Sequence, residues 1–132
     1  MHEIRLRTER RTQVIDITAQ VRDAVGSALD ASAVLVYVPH TTAGVTINEH
    51  ADPALKDDLT MAIEHVVRDE WVWRHSDADG PNAPAHARAS LTGTQVLIPV
   101  DGGGLALGTW QGIFFCEYDG PRERKVYVTT LT

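Results

Sequence analysis

The sequence predicts an α+β fold, in which a single compact domain is built from a mixed or antiparallel β-sheet sandwich with two to three helices. Strand and helix patterns alternate over the first part of the chain, and the last part reads as a succession of strands. A length of 132 residues suits one hydrophobic core, and no repeat or linker divides the chain. We therefore expect residues 1–132 to form one domain.

The beginning of the chain predicts two strands, a helix and a third strand. Residues 4–8 and 13–17 alternate apolar and polar side chains for part of their length, as half-buried strands do. Thr18 is placed to cap a helix. The apolar face of that helix consists of Val21, Val25, Ala28 and Leu29. Residues 33–38 form an apolar run rich in β-branched side chains, which is typical of a central strand covered on both faces.

The middle of the chain predicts further helices, and its end predicts a β-meander. A helix is expected to open at Asp52-Pro53, because Asp caps well and Pro fits the first helical position. The other predicted elements are a strand at 45–47, a polar loop at 74–82, a short helix at 85–91, strands at 95–100, 109–118 and 125–131, and a hairpin turn at 101–104.

Composition and charge exclude several classes of function. Lys and Arg total 12 and Asp and Glu total 18, so the formal net charge is −6. A nucleic-acid-binding protein would need a basic face, so none is expected as a partner. No apolar run is long enough to cross a membrane and no signal peptide is visible, so a cytoplasmic location is expected. Cys116 lies in an apolar strand pattern, and burial is favoured over a nucleophilic role.

Three histidines form the central candidate site. His40 follows a predicted buried strand, His75 lies in a polar loop and His86 lies in the short helix. Neutral imidazoles bind zinc well, and a catalytic zinc site takes three protein ligands and one water or substrate. Without a metal, the same imidazoles would serve as general acid and base. Their spacing does not decide between these roles and simple hydrogen bonding in polar loops.

Other polar residues near these histidines are candidates for orientation and substrate binding. Glu49 or Glu117 could orient an imidazole by accepting its N–H. Thr41, Thr42 and Arg122 are candidates for phosphate recognition, with Arg88 and Arg124 less favoured.

Further along, Asn48 belongs to a polar stretch that ends a predicted strand, and a role in substrate binding is expected. Trp110 and Gln111 stand between two glycines, where Trp110 would either fill the core or line a pocket.

Several motifs in order resemble the YjbQ family, often labelled secondary thiamine-phosphate synthases. The matching stretches are His40-Thr41-Thr42-Ala43, Thr46-Ile47-Asn48-Glu49, Ala51-Asp52-Pro53, His75, His86, Ala89-Ser90-Leu91, Gly93, Gly108-Thr109-Trp110-Gln111-Gly112-Ile113, Glu117 and residues 126–129. The chain departs from the family pattern at His50, where relatives often carry Asn, so a fourth imidazole would approach the site. It also has Ser76 and then Asp77 where many relatives have Asp directly after the loop histidine.

The resemblance implies a YjbQ-like α+β domain, a homotrimer with pockets near subunit boundaries, and convergence of His40, His75 and His86 with Glu49 and Glu117 nearby. It also implies joining of a pyrimidine pyrophosphate to a thiazole phosphate. We therefore expect an enzyme acting on a small anionic or phosphorylated metabolite, with a divalent metal, zinc above all, on the three histidines. The alternatives are a metal-dependent hydrolase of such a metabolite and a non-catalytic metabolite- or metal-binding module.

Overall fold

The computed structural model describes residues 1–27, 29–76 and 80–132. The predicted inner-face position of Ala28 and any role for Asp77 lie outside these residues. The strands are β1 (His2–Arg7), β2 (Gln13–Asp16), β3 (Ala33–Tyr37), β4 (Ala43–Glu49), β5 (Gln95–Asp101), β6 (Gly104–Leu105), β7 (Gln111–Glu117) and β8 (Glu123–Leu131). The helices are α1 (Thr18–Val25), α2 (Ala54–Val66) and α3 (Ala83–Thr92).

Two antiparallel sheets pack face to face, which confirms the predicted α+β sandwich. The five-stranded sheet has the order β1-β8-β3-β5-β6, and the three-stranded sheet has the order β2-β7-β4. Their inner faces form the main core, because every second side chain of a strand points to the same face. The residues of this core that are at most 1% exposed are Ile17, Val21, Val34, Val36, Val38, Ala43, Val45, Ile98, Ile113, Phe115, Val126 and Val128.

Helices cover the outer face of the three-stranded sheet. Cys116 on β7 packs in a second apolar cluster with Ala85 and Ala89 of α3, and Ile63 of α2 lies against it. Cys116 is buried, as expected, and burial raises the pKa of its thiol to about 12. A thiol that holds its proton so firmly is a poor nucleophile, so Cys116 is a packing residue.

Helix α1 differs from the prediction at its first residue. Thr18 is the first helical residue rather than the cap, and its backbone N–H donates to Asp16 Oδ1 (2.9 Å). The Thr18 hydroxyl also donates to Asp16 Oδ1 (2.6 Å) and accepts the backbone N–H of Ile113 (2.8 Å). A carboxylate at the start of a helix is favourable, because the free N–H groups there carry partial positive charge.

Strand β3 is covered on one face only, whereas the sequence predicted coverage on both. Val34 and Val36 are buried, but Leu35 is partly exposed and Tyr37 is 38% exposed. The reason is that α2 and α3 pack on the other sheet. The outer face of the five-stranded sheet is therefore left open in the described part of this chain, with Leu97 beside Leu35 and 60% exposed.

The ends of four strands meet at one edge of the sandwich and prepare a site there. Antiparallel pairing places Ala43 at the start of β4 opposite Glu117 at the end of β7. His40 follows β3, and β8 starts at Glu123. Among the described residues, no helix is long and apolar enough to cross a membrane.

Candidate active-site cleft

A polar cleft of about 320 Å³ opens where these strand ends meet the start of α3. Its lining residues are Pro39, His40, Thr41, Thr42, Asn82, His86, Asp119, Arg122 and Arg124. The cleft therefore collects His40, His86, Thr41, Thr42 and Arg122 from the predicted set. Thr41 is exposed at its rim, so its hydroxyl is open to a ligand.

The buried Glu117–Arg124 ion pair forms the floor of this cleft. Glu117 is fully buried and accepts hydrogen bonds from Thr8 Oγ1 (2.7 Å), from Arg124 Nε (2.8 Å) and from a terminal nitrogen of Arg124. It also accepts the backbone N–H groups of Tyr118 (3.0 Å) and Asp119 (3.1 Å). A carboxylate with five donors is held for structure. In the part of the chain that the structure describes, the hydrogen bonds of Glu117 hold Arg124 and none reaches an imidazole, so its predicted catalytic role stays a prediction.

Arg124 continues this network into the cleft. Its terminal nitrogen donates to Thr42 Oγ1 (2.8 Å), and its side chain is 4% exposed. Thr42 is itself buried, so it holds Arg124, whereas its neighbour Thr41 faces solvent. Sequence reasoning ranked Arg124 below Arg122, because a single arginine in a strand gives no sign of its burial.

His40 is held as a neutral imidazole with one defined tautomer. Its Nε2 accepts the backbone N–H of Lys125 (2.9 Å), and an amide N–H can only donate. The proton of the neutral ring therefore sits on Nδ1. Burial, and then the positive charge of Arg124, lower the pKa of His40 below its usual 6.5. His40 thus presents an N–H donor and has no free lone pair.

His75 and His86 contact each other beside the cleft. Their ring centroids are 4.9 Å apart and the rings meet edge to face. His86 is the fourth residue of α3, and its Nε2 is buried without a hydrogen-bond partner among the described residues. His75 is exposed and does not line the cleft. His40 and His86 thus line the same cleft, and His75 contacts the His86 ring without lining the cleft.

Of the three predicted zinc ligands, the structure brings the rings of His75 and His86 into contact, and the zinc site stays a prediction. His86 Nε2 is buried and has no hydrogen-bond partner among the described residues. His40 does not fit, because the one lone pair of its neutral ring accepts the Lys125 N–H. Accordingly, within residues 1–27, 29–76 and 80–132, no group of three His, Cys, Asp or Glu side chains is arranged to hold a metal ion.

Asp119 connects Arg122 and Asn82, which form the remaining polar wall of the cleft. It accepts from Arg122 (2.9 Å) and from Asn82 Nδ2 (3.1 Å). Because a carboxylate only accepts, this bond fixes the orientation of the Asn82 amide. Asn82 Oδ1 is then buried without a partner in the described part of the chain. Sequence reasoning missed Asn82, although an Asn directly before Ala-Pro at a helix start indicates a helix boundary.

The other predicted site residues lie at the opposite end of β4. Glu49 ends this seven-residue strand and pairs with Gln111, whereas Ala43 at its start lies beside the cleft. Six steps of about 3.4 Å separate the two ends by roughly 20 Å. Glu49 and Asn48 are thus not near His40 within one chain, contrary to the prediction. The sequence alone could not show this separation, because residues close in sequence lie far apart in space when an extended strand runs between them.

Trp110 and Gln111 belong to that far end as well. Trp110 is 64% exposed, so the interpretation as a core tryptophan is wrong. Gln111 is exposed, and its Oε1 accepts the backbone N–H of Gly108 (2.8 Å), which closes the turn before β7. Neither residue lines the cleft of His40.

His50 does not join the other imidazoles either. Its Nδ1 lies 3.2 Å from Asp16 Oδ2, and its backbone N–H donates to Trp110 O (2.9 Å). Its ring lies over Gly112, where an added Cβ would come within 2.6 Å of Nδ1. The expectation that a fourth imidazole approaches the site is therefore wrong within this chain.

The fold and the cleft together are those of a small α+β protein whose candidate site is lined by histidine and arginine side chains. Residues 2–132 match the UPF0047 protein YjbQ-like family, and the chain belongs to this family. It is 40% identical over 132 residues to a UPF0047 protein of Methanocaldococcus jannaschii, covering 99% of this chain and 94% of the relative. It is 41% identical to YugU of Bacillus subtilis, covering 97% and 96%.

Solved structures of similar proteins support the fold. A YbjQ-like protein of unknown function from Sulfolobus solfataricus superposes with a TM-score of 0.89 at 37% identity, covering 96% of this chain and 92% of that one. A hypothetical protein from Aeropyrum pernix gives a TM-score of 0.88 at 43% identity, covering 98% and 96%.

Proposed function

We propose that the cleft is the active site of an enzyme that acts on a small phosphorylated metabolite. The observation that carries the proposal is the tautomer of His40. The lowered pKa keeps its ring neutral, and because Nε2 accepts the Lys125 N–H, the ring proton sits on Nδ1 and can be donated. A neutral imidazole donor stabilises negative charge that develops on a substrate oxygen. Thr41 and Arg122 supply further donors to the same anion from the cleft wall.

Apart from His86, whose Nε2 has no hydrogen-bond partner among the described residues, the groups at the cleft are better equipped to stabilise a leaving anion than to remove a proton. Glu117 is saturated with donors, and His40 has no free lone pair. Asp119 is engaged with Arg122 and Asn82. A displacement in which an anion departs needs donors around the departing oxygen, whereas hydrolysis also needs a group that activates water.

The particular reaction that we propose is thiamine-phosphate synthesis as a secondary activity. The thiazole nitrogen would give its lone pair to the methylene carbon of the pyrimidine pyrophosphate. A C–N bond forms, the C–O bond breaks, and its electron pair leaves with the pyrophosphate. No proton is removed in this step, which suits a site built from donors.

The test combines the pyrimidine pyrophosphate and the thiazole phosphate with purified protein and measures joined product and pyrophosphate. We expect the two to appear in equal amounts, and we expect His40→Asn to lose most of the rate. His65→Asn is the matched control, because His65 is exposed on α2 and its ring contacts Met61 O one turn earlier in the same helix. Binding of both compounds without turnover would contradict the enzyme and favour a non-catalytic binding module.

A second candidate is a metal-dependent hydrolase, and the free Nε2 of His86 beside His75 favours it. A metal held by these two imidazoles would supply activated water. Metal analysis of the wild type and of His75→Ala and His86→Ala would decide. Stoichiometric metal that both variants lose supports this candidate, and equal, negligible metal in all three proteins contradicts it.

We also propose that the protein is a homotrimer. The open face of the five-stranded sheet supports this, because Leu97, Tyr37 and Leu131 are 60%, 38% and 40% exposed on neighbouring strands. Exposed apolar patches of this kind mark association surfaces. Light scattering should return roughly three times 14.5 kDa, and a mass near 14.5 kDa would contradict the trimer.

A further inference from the structure

A second cleft of about 320 Å³ lies on the other side of His40. It is lined by Arg5, Leu6, Arg7, His40, Glu123, Arg124 and Lys125. His40 and Arg124 line both clefts, so they form the wall between them. None of the sequence motifs drew attention to this second cleft, because its cations come from the two distant strands β1 and β8.

The second cleft concentrates positive charge in a protein whose net charge is −6. Arg5 on β1 lies directly opposite Lys125 on β8. Like charges in this position repel each other and destabilise a strand pair. The carboxylate of Glu3 holds the two together, since it lies 2.8 Å from Arg5 Nε and 3.8 Å from Lys125 Nζ. The two cations are thus kept side by side with one carboxylate shared between them.

Arg7 adds a guanidinium that no carboxylate engages among the described residues. It is exposed at the end of β1 and lies directly opposite Glu123, yet the two form no ion pair. Glu123 is the one carboxylate among the lining residues, against three arginines and one lysine. A guanidinium without a carboxylate partner is available for bidentate binding of a phosphate group.

We propose that this second cleft is a separate subsite for a phosphate or diphosphate group. This proposal rests on the proposed function, because a reaction between two phosphorylated substrates needs two anion sites around one reacting centre. His40 occupies that central position. Lys125 couples the two sides, since it lines the second cleft and its backbone N–H fixes the tautomer of His40, which lines both.

The subsite can be tested by binding, without any turnover. Pyrophosphate is titrated into labelled protein while backbone amide shifts are followed by NMR at both clefts. We expect residues 5–7 and 123–125 to report one site and residues 41–42 to report another. Arg7→Gln should weaken binding at the second cleft about five- to tenfold and change binding at the first less than twofold. Arg10→Gln is the matched control, because it removes the same charge three residues away and lines neither cleft.

The results of this titration test the subsite independently of the proposed reaction. Two responding sites, with the second weakened by Arg7→Gln and not by Arg10→Gln, support the subsite even if no product forms in the synthase assay. A single responding site, or equal weakening by the two variants, overturns the subsite even if product does form. If both proposals hold, Arg7→Gln should raise the KM of one substrate about five- to tenfold and leave the KM of the other unchanged.

Discussion

The two ends of β4 carry equally polar sequences and differ in what those polar groups do. At the Ala43 end, Glu117 and Arg124 are buried and satisfy each other, while His40, whose neutral ring carries its proton on Nδ1, lines an open cleft. At the Glu49 end, Asn48 and Gln111 satisfy local backbone groups, and His50 contacts Asp16. There the backbone N–H of Glu49 donates to Asn48 Oδ1 (2.8 Å), and Gln111 closes its own turn.

This contrast indicates that a polar motif marks a binding site only where a buried hydrogen-bond network leaves some polar atoms available to a ligand. Long-range bonds such as Thr8 to Glu117 tie the Ala43 end to distant parts of the chain. At the Glu49 end, Asn48 and Gln111 bond to near neighbours, as in turns and strand ends, whereas His50 reaches the distant Asp16. We therefore expect substitutions at the two ends of β4 to have different consequences. Four experiments test this expectation.

The largest expected effect is the loss of the buried carboxylate. Glu117→Ala leaves the Arg124 guanidinium buried without its ion-pair partner, which should lower the free energy of unfolding by about 3–5 kcal/mol. Urea denaturation measures this change. Glu49→Ala is the control at the other end of β4, where the side chain is only partly buried, and it should cost less than about 0.5 kcal/mol. Similar losses in both variants would remove the contrast.

The second effect concerns turnover. His40→Asn can place an amide near the position of Nδ1, but it lacks the Nε2 atom that accepts the Lys125 N–H and fixes the donor's orientation, so we expect the rate of the synthase assay to fall about 100-fold with little loss of stability. His50→Asn, at the Glu49 end, should keep the rate within twofold because His50 lies against Asp16. Steady-state kinetics and thermal unfolding of both variants are the measurements. A slower His50→Asn enzyme would place the Glu49 end in the active site, for example across a subunit boundary.

The third effect tests the local packing of the Glu49 end. In Gly112→Ala, the new Cβ would lie 2.6–2.8 Å from three atoms of the His50 side chain, so that side chain must move and leave Asp16. Such overpacking should cost about 1–3 kcal/mol of stability. Adding His50→Ala should recover part of that loss, since the close contacts with Nδ1 and Cγ disappear while the one at 2.8 Å from the His50 Cβ remains. Additive losses in the double variant would show that the strain lies in the backbone.

The sequence predicted the fold more completely than the site. Alternating patterns indicated the strands, and the apolar spacing at Leu55, Leu59 and Ile63 indicated α2, because local periodicity reports local structure. The burial of Glu117 was not predictable, since it depends on Thr8 and Arg124 from both ends of the chain. The site could be predicted only where motif residues follow a strand directly, as His40 does.

The smallest effect is a pH dependence that His40 should impose. Its pKa is lowered in the folded protein, so below pH 6.5 the unfolded chain binds the proton more readily than the folded one. The stability due to neutral His40 is therefore complete above about pH 6.5 and is lost as the pH falls through its lowered pKa. Between pH 7 and pH 5, wild type should lose slightly more stability than His40→Asn. NMR titration of the His40 ring should give a midpoint below 6.5, and a midpoint above 6.5 would mean that the ring is charged at the wall between the clefts.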